Sequence, residues 1–396
     1  MTTLVPPILH PSQWLVHASP ARFKVVVCGR RWGKSMLAGL ESVACATTGG
    51  RVWWVSPNFP LGQVAWRGLK RACRKIPRIV VHESDRRIDF DKGGFVALKS
   101  ADHEDSLRSE GLDLVILDEA AFIPEDRWYQ ELRPALADRK GKALFASTPK
   151  GKNWLYRLEQ QALDTPGWEV FHFPTSANPY IAASEIEDAK RHMPEYLFRQ
   201  ELLGEYIEAG AGVFRGFEKR CEPGKPHGHP VFFGVDWGKS NDFTVVSVVC
   251  PTCGRQVAQD RYNRIDYTLQ ISRLAALADR WKPRKILAES NAMGQPLIDD
   301  LHNRHKLPIV GFNTNATSKP ALIEALSLAV ERGDLVVLDD RVLVSELEMF
   351  ELEPMASGRF KFGAPAGTHD DCVIALALAW EAASHRGMVI RELDAE

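Results

Sequence analysis

The sequence predicts two successive α/β domains, and three features of its pattern say so. The run Phe23-Lys24-Val25-Val26-Val27-Cys28 reads as a β-branched strand ending in a glycine-bearing loop, after which Gly33-Lys34-Ser35 opens a helix. A second apolar run, Leu114-Val115-Ile116-Leu117, lacks period-2 alternation, as expected of a strand buried on both faces, and delivers Asp118-Glu119 at its C-terminal end. From Val231 onward three strands, a helix, a strand and another helix follow in order, with an acid in the first strand and another ending the fourth. A single core sustains about 250 to 300 residues. The chain has 396.

Taken in order, Leu9 to Trp14 leads into the first strand, and Gln13 lies where several nucleotide motors place a glutamine against adenine, although by itself it reads as a surface residue. The strand–loop–helix that follows has the layout of a P-loop. Amides of Gly29, Arg30, Arg31, Trp32 and Gly33 would face phosphate oxygens, Lys34 would reach the β/γ-phosphates, and the Ser35 hydroxyl would ligate Mg²⁺. Cys28 stands where the usual pattern has its first glycine.

Arg51 to Val55 reads as a strand, and the next helix carries Arg67, Lys70, Arg71, Arg74, Lys75 and Arg78 at i, i+3, i+4, i+7, i+8 and i+11, with no acid among them. Such a stripe is either a solvated face or a contact for a nucleic-acid backbone. Short strands follow near Ile79, Arg87 and Phe95. In the Leu114 strand, Asp118 is expected to hold the Mg²⁺ of a Mg-nucleotide and Glu119 to polarise an attacking water. Arg108, ten residues upstream, is either an ordinary exposed arginine or an arginine finger. Ala143 to Ala146 forms another buried strand. Its tip, Ser147-Thr148, either senses the γ-phosphate or is a polar turn before Pro149.

The pattern turns helical over Ala183 to His192 and Glu195 to Leu203, which suggests a lid subdomain over about 175–208, closing a first domain of residues 1–208. Ala209-Gly210-Ala211-Gly212 begins a linker, 209–228, and the second domain, 229–396, has an RNase H-like succession. Asp236, Glu289 and the pair Asp370-Asp371, the last in the first turn of a helix capped by Thr368, are expected to converge there. Carboxylates so close require divalent metal; two Mg²⁺ or Mn²⁺ ions about 3.5 to 4 Å apart would suit phosphodiester hydrolysis. His369 beside the pair is either a supporting group or a solvent-facing residue. Cys250-Pro251-Thr252-Cys253 resembles half a zinc knuckle, with Cys221, His227 and His229 upstream, but no second CxxC exists, so a hairpin turn without zinc is expected.

Composition sets the remaining bounds. Seven cysteines in a long chain argue against a disulfide framework, and a net charge of −1 confines nucleic-acid contacts to local patches. No window approaches ~18 consecutive apolar residues and the N-terminus lacks signal-peptide character, so an intracellular protein with no membrane partner is expected.

With these residues together, the chain resembles the large terminase subunits of tailed bacteriophages. The marks are Gly29-Arg30-Arg31-Trp32-Gly33-Lys34-Ser35, Leu117-Asp118-Glu119-Ala120, Ser147-Thr148-Pro149-Lys150-Gly151, Gly234-Val235-Asp236-Trp237-Gly238 and His369-Asp370-Asp371 before a small-residue apolar helix. The resemblance implies an N-terminal P-loop ATPase domain of the ASCE type and a C-terminal RNase H-like nuclease domain. It further implies ATP-driven translocation of double-stranded DNA through a portal protein into a procapsid, cleavage of concatemers, and a small terminase partner. The subunit would be monomeric in solution and ring-forming during packaging, with Arg108 serving a neighbour's site, in the host cytoplasm and not in the mature virion. The rival reading is a helicase-like or repair DNA-dependent ATPase whose second domain only binds DNA.

Overall fold

The computed structural model describes residues 8–102, 107, 110–208, 212–238, 243–291, 294–354, 360–365 and 368–384. The chain divides into two compact units, one built on the residues up to Ala209, the other on Gly210–Glu353 and Phe360 onward.

The first unit runs α1 (Pro11–Ala18), β1 (Phe23–Cys28), α2 (Lys34–Thr47), β2 (Arg51–Ser56), α3 (Phe59–Cys73), β3 (Val80–His82), β4 (Arg87–Asp89), β5 (Phe95–Ser100), β6 (Leu114–Asp118), α4 (Arg133–Ala135), β7 (Lys142–Ser147), α5 (Trp154–Leu163), β8 (Trp168–Phe173), α6 (Ala183–His192) and α7 (Glu195–Phe198). Its strands form one sheet in the order β3-β4-β5-β2-β6-β7-β1-β8, with β1, β2, β5, β6, β7 and β8 parallel. Inserting β7 between the P-loop strand and the acid-bearing strand is the ASCE arrangement expected above. It sets Ser147 beside Val27 of β1 and one residue past Ala146, the partner of Asp118. Alternate residues feed two cores, Val25 and Val27 one face and Val26 and Cys28 the other, which explains why the runs 25–28 and 114–117 are apolar without alternation.

Helix α3 ends at Cys73, so Arg74, Lys75 and Arg78 lie beyond it and the six bases do not make one helical stripe. Arg78 adopts a left-handed φ of 56°, and the row is partly neutralised by Lys70–Glu83 (2.6 Å) and Arg78–Asp91 (3.2 Å). Each acid lies 13 residues beyond its base and outside the helix, where helical periodicity does not reveal it.

The second unit comprises β9 (Arg220–Cys221), β10 (Phe232–Asp236), β11 (Thr244–Cys250), β12 (Arg255–Tyr262), α8 (Tyr267–Trp281), β13 (Lys285–Glu289), α9 (Gly294–Asn303), β14 (Ile309–Phe312), α10 (Ser318–Glu331), β15 (Val337–Leu338), α11 (Arg341–Met349), β16 (Glu351–Pro354), β17 (Phe360–Gly363) and α12 (Asp371–Ser384). Its main sheet has the order β12-β11-β10-β13-β14, antiparallel from β12 to β10 and parallel from β10 to β14. Residues 212–221 pack within this unit: the Val213 amide donates to Phe350 O and the Ser327 hydroxyl to Val213 O. The apolar α12 lies against β10 and β11 where Gly234 leaves room; a Cβ at that glycine would meet Ala375 O at 2.0 Å and Ala379 N at 2.2 Å.

Candidate functional sites

The P-loop is fixed from behind. Four successive carbonyls each accept from a side chain of another element: Arg30 O from Thr175 Oγ1 (2.7 Å), Arg31 O from Asn178 Nδ2 (2.7 Å), Trp32 O from His10 Nε2 (2.8 Å) and Gly33 O from Gln13 Nε2 (3.0 Å). Since Trp32 O only accepts, His10 carries its proton on Nε2, leaving Nδ1 for the Ser12 hydroxyl (3.0 Å) and the Gln13 amide (3.4 Å). Gly33 sits at φ 108°, a conformation only glycine enters freely. His10, Thr175 and Asn178 escaped the sequence reading because contacts over 20 to 150 residues leave no local signature.

Two sequence expectations change here. Gln13 is no surface residue; it is fully buried, with its amide engaged by the His10 N–H (3.2 Å) and Gly33 O. The loop amides are the second: those of Gly29, Arg30 and Trp32 donate to Phe173 O (3.0 Å), Glu201 O (2.6 Å) and Gly29 O (3.4 Å), and the Trp32 side chain is core, fully buried and stacked on Phe173 at 5.4 Å with its indole N–H on Ser12. Arg30 pairs with Glu201, which also holds Lys150 of the Ser147–Gly151 segment, and these two cations draw the Glu201 carboxyl below its ordinary value despite burial.

Lys34 is buried and donates to Cys28 O (2.9 Å) and Gly29 O (3.2 Å); burial lowers its pKa, against the pull of Glu119 and Asp118. Ser35 is exposed beside it. Asp118 is pushed up to about 7 by burial and by Glu119, although the Trp54 indole N–H donates to it at 3.3 Å. Glu119 takes a left-handed φ of 52°, an unusual backbone for a non-glycine residue, and its carboxylate accepts from the Thr148 hydroxyl at 3.4 Å. Ser147 Oγ accepts the Ala121 N–H (3.2 Å) and donates to Thr148 O (2.8 Å). Arg108 lies outside the described residues.

The second unit has its own site. Asp236 ends β10 and Glu289 ends the adjacent parallel β13, so both carboxylates emerge at one end of the sheet. They line a cavity of about 330 Å³ with Asp370, Asp371, Asn291 and Lys319. Burial and the neighbouring Glu289, Asp371 and Asp370 hold the Asp236 carboxyl well above its ordinary value. Asp371 accepts the Phe243 N–H (3.3 Å) and lies 3.6 Å from His369, while Asp370 pairs with Lys319 at 2.9 Å. Thr368 does not cap the helix. Its hydroxyl donates to Pro365 O, and α12 starts at Asp371 with the Ile374 N–H bonded to Asp370 O. The helix start is held by buried Glu346 of α11, which accepts from the Cys372 (2.8 Å) and Val373 (3.3 Å) amides; burial lifts this acid to about 7. Lys319 and Glu346 have no sequence signature, each being one of three charged residues on its helix.

Known proteins carry both parts together. The profile described as terminase large subunit, T4likevirus-type, N-terminal matches residues 25–220, and that described as terminase RNaseH-like domain matches residues 233–383. The terminase large subunit of Thermus virus P23-45 is 30% identical, with 94% of this chain and 87% of that protein covered. The chain belongs to the terminase large-subunit family. Within it, the large subunit of Escherichia phage T5 is 32% identical over 49% of this chain and 45% of the relative. The large terminase of a thermophilic bacteriophage shares the fold at a TM-score of 0.60 and 16% identity, covering 95% of this chain and 98% of that one; its ADP complex aligns at a TM-score of 0.57 and 16% identity, covering 95% and 99%. This terminase chain thus joins an N-terminal ATPase domain to a C-terminal RNase H-like nuclease domain. Among the described residues no helix is long and apolar enough to cross a membrane.

Proposed function

We propose that this large terminase subunit drives double-stranded DNA into a procapsid by ATP hydrolysis and cuts concatemeric DNA with a two-metal nuclease. What supports the reading is that one chain carries two chemically different groupings: a braced P-loop with an acid pair nearby, and a cavity lined by four carboxylates.

In the first, Lys34 leaves the carbonyls of Cys28 and Gly29 for the β/γ-phosphates, a better partner for a buried ammonium. Ser35 and Asp118 would fit a Mg²⁺ that arrives with the nucleotide, since desolvation and Glu119 outweigh Lys34 and hold the Asp118 carboxyl up. Glu119 orients the attacking water and accepts its proton. The Thr148 hydroxyl steadies Glu119 and reports its position through Lys150 to Glu201 and the Arg30 side chain, the route by which γ-phosphate loss reaches the lid segment. Arg108 is proposed to act in a neighbouring subunit's site within a ring, with the portal and a small terminase subunit as partners.

In the second site the donor set fits hard divalent cations, because four carboxylates gather about one cavity with the Asp236 charge suppressed by its neighbours. Two Mg²⁺ or Mn²⁺ ions bound there supply an activated water and charge stabilisation for phosphodiester cleavage. Asp236 and Glu289 would hold them from the sheet and Asp371 from the start of α12. Asp370 instead pairs with Lys319 at the cavity wall, where the ammonium would be available to a substrate phosphate. The exposed bases Arg67, Arg71, Arg74 and Lys75 provide a DNA-backbone contact, tested by charge reversal: lower affinity and a shallower salt slope are expected, and an unchanged slope contradicts it.

ATP turnover and plasmid cutting are measured on wild type and Lys34→Ala. Loss of turnover with metal-dependent cutting retained is expected. Loss of both in folded protein contradicts separate sites, and turnover in a wild type that cuts under no metal favours a DNA-dependent ATPase with a binding-only second domain.

A further inference from the structure

The turn between β11 and β12 carries Cys250-Pro251-Thr252-Cys253, and the sequence offers no second CxxC to complete a metal site. The fold supplies the missing half. Residues 222–230, which lead into β10 without regular secondary structure, run beside this hairpin, with the Gly224 amide bonded to Val257 O at 2.8 Å. That path brings His227 and His229 to the two cysteines, so that one ligand atom from each of the four residues lies within 4.8 Å of the others.

The spacing is informative. Tetrahedral zinc has Zn–S of about 2.3 Å and Zn–N of about 2.0 to 2.1 Å, which places neighbouring N and S ligand atoms about 3.5 Å apart. Here His229 Nδ1 stands 3.2 Å from Cys253 Sγ and His227 Nε2 stands 3.6 Å from it. Cys221 is not part of the set: its thiol donates to Gln256 O at 3.3 Å. Cys250 is buried while Cys253 and both histidines lie at the surface, so the ligands are rooted in the sheet and open to an entering ion.

We propose that His227, His229, Cys250 and Cys253 bind one zinc ion that staples the segment entering the nuclease unit to the β11–β12 hairpin. Four protein ligands leave no open coordination position, which makes the site structural and not catalytic. It is also remote from the carboxylates: β10 and β11 are antiparallel, Asp236 pairs with Val245, and Cys250 is five residues farther along, about 17 Å at the rise of a strand. The ordering is useful because the segment follows the junction between the two units. A nine-residue segment without secondary structure, tied here by the Gly224–Val257 bond, would gain a second fixed point from the ion.

The test uses full-length protein prepared without chelator and exchanged into Mg²⁺ to clear the carboxylate site. Elemental analysis should find one zinc per chain, released by a mercurial that blocks thiols. Replacing zinc with Co²⁺ should produce a thiolate-to-metal charge-transfer band, which carboxylates cannot give. Both signals should vanish in Cys253→Ser and in His229→Ala and persist in Asp236→Asn, and amide exchange across 222–229 should rise when zinc is stripped. A zinc-free wild type that develops no thiolate band with Co²⁺ overturns the proposal, whatever the variants do. So does zinc retained at full stoichiometry in Cys253→Ser.

Discussion

Replacing Asp118 with Asn should abolish ATP turnover and yet stabilise the nucleotide-free protein. The folded-state pKa of Asp118 is about 7 against 3.8 for an ordinary aspartate, raised first by burial and then by Glu119. The folded state therefore disfavours the ionised form, so the penalty is absent below the unfolded pKa, grows as pH rises from about 4 to 7, and is constant above. The gap between the two values corresponds to at most about 4 kcal/mol, and relaxation around the charge reduces this to roughly 1 to 2 kcal/mol. An asparagine keeps an oxygen for the Trp54 indole and carries no charge to bury. For a domain of this size that is about 3 to 6 °C in Tm. Scanning calorimetry in chelator from pH 4.5 to 8.5 checks it: the first-unit transition of Asp118→Asn should rise above wild type increasingly up to pH 7 and then run parallel to it. A variant less stable than wild type at pH 8 would refute the claim that the acid waits, at a cost, for a cation.

Other consequences follow from the same geometry. Glu119→Gln should retain nucleotide binding and lose about 10² to 10⁴ in turnover, as expected for a general base; binding and single-turnover assays separate the two. Thr148→Val removes only the 3.4 Å contact to Glu119, so turnover should fall several-fold at unchanged nucleotide affinity, and an unaltered rate would remove Thr148 from the coupling route. Trp32→Ala should cost about 3 to 5 kcal/mol in unfolding, as for other buried aromatics, whereas Trp32→Phe should leave the KM for ATP near wild type. Gly234→Ala must push α12 off β10, costing about 1 to 3 kcal/mol and suppressing cutting by displacing Asp371 from Asp236; cutting at wild-type rates would contradict the role given to that close approach.

Much of this was legible in the chain because the chemistry is written at strand ends. A buried parallel strand must be apolar throughout, so Asp118-Glu119 and Asp236 stand out where the apolar run stops, and the fold carries them to the ligand-facing ends of the sheets. What stayed hidden depends on contacts between distant segments. His10, Thr175 and Asn178 brace the P-loop from positions with no motif, and Glu346 holds the start of α12 from 26 residues away. The basic row misled for the same reason in reverse: its spacing is helical, but α3 stops at Cys73 and the balancing acids, Glu83 and Asp91, arrive through the β3–β4 region and the turn after it. Periodicity reports a face, not what is folded against it.

The central claim is that one chain carries two independent catalytic sites, and plasmid cleavage with Mg²⁺ or Mn²⁺ by wild type and Asp236→Asn, with ATP turnover measured on the same preparations, tests it most directly. The account predicts metal-dependent cutting by wild type, none by the variant, and equal ATP turnover in both. Cutting by Asp236→Asn at the wild-type rate would place the nuclease chemistry elsewhere, and a parallel loss of turnover in folded variant would show that the two sites are not separate.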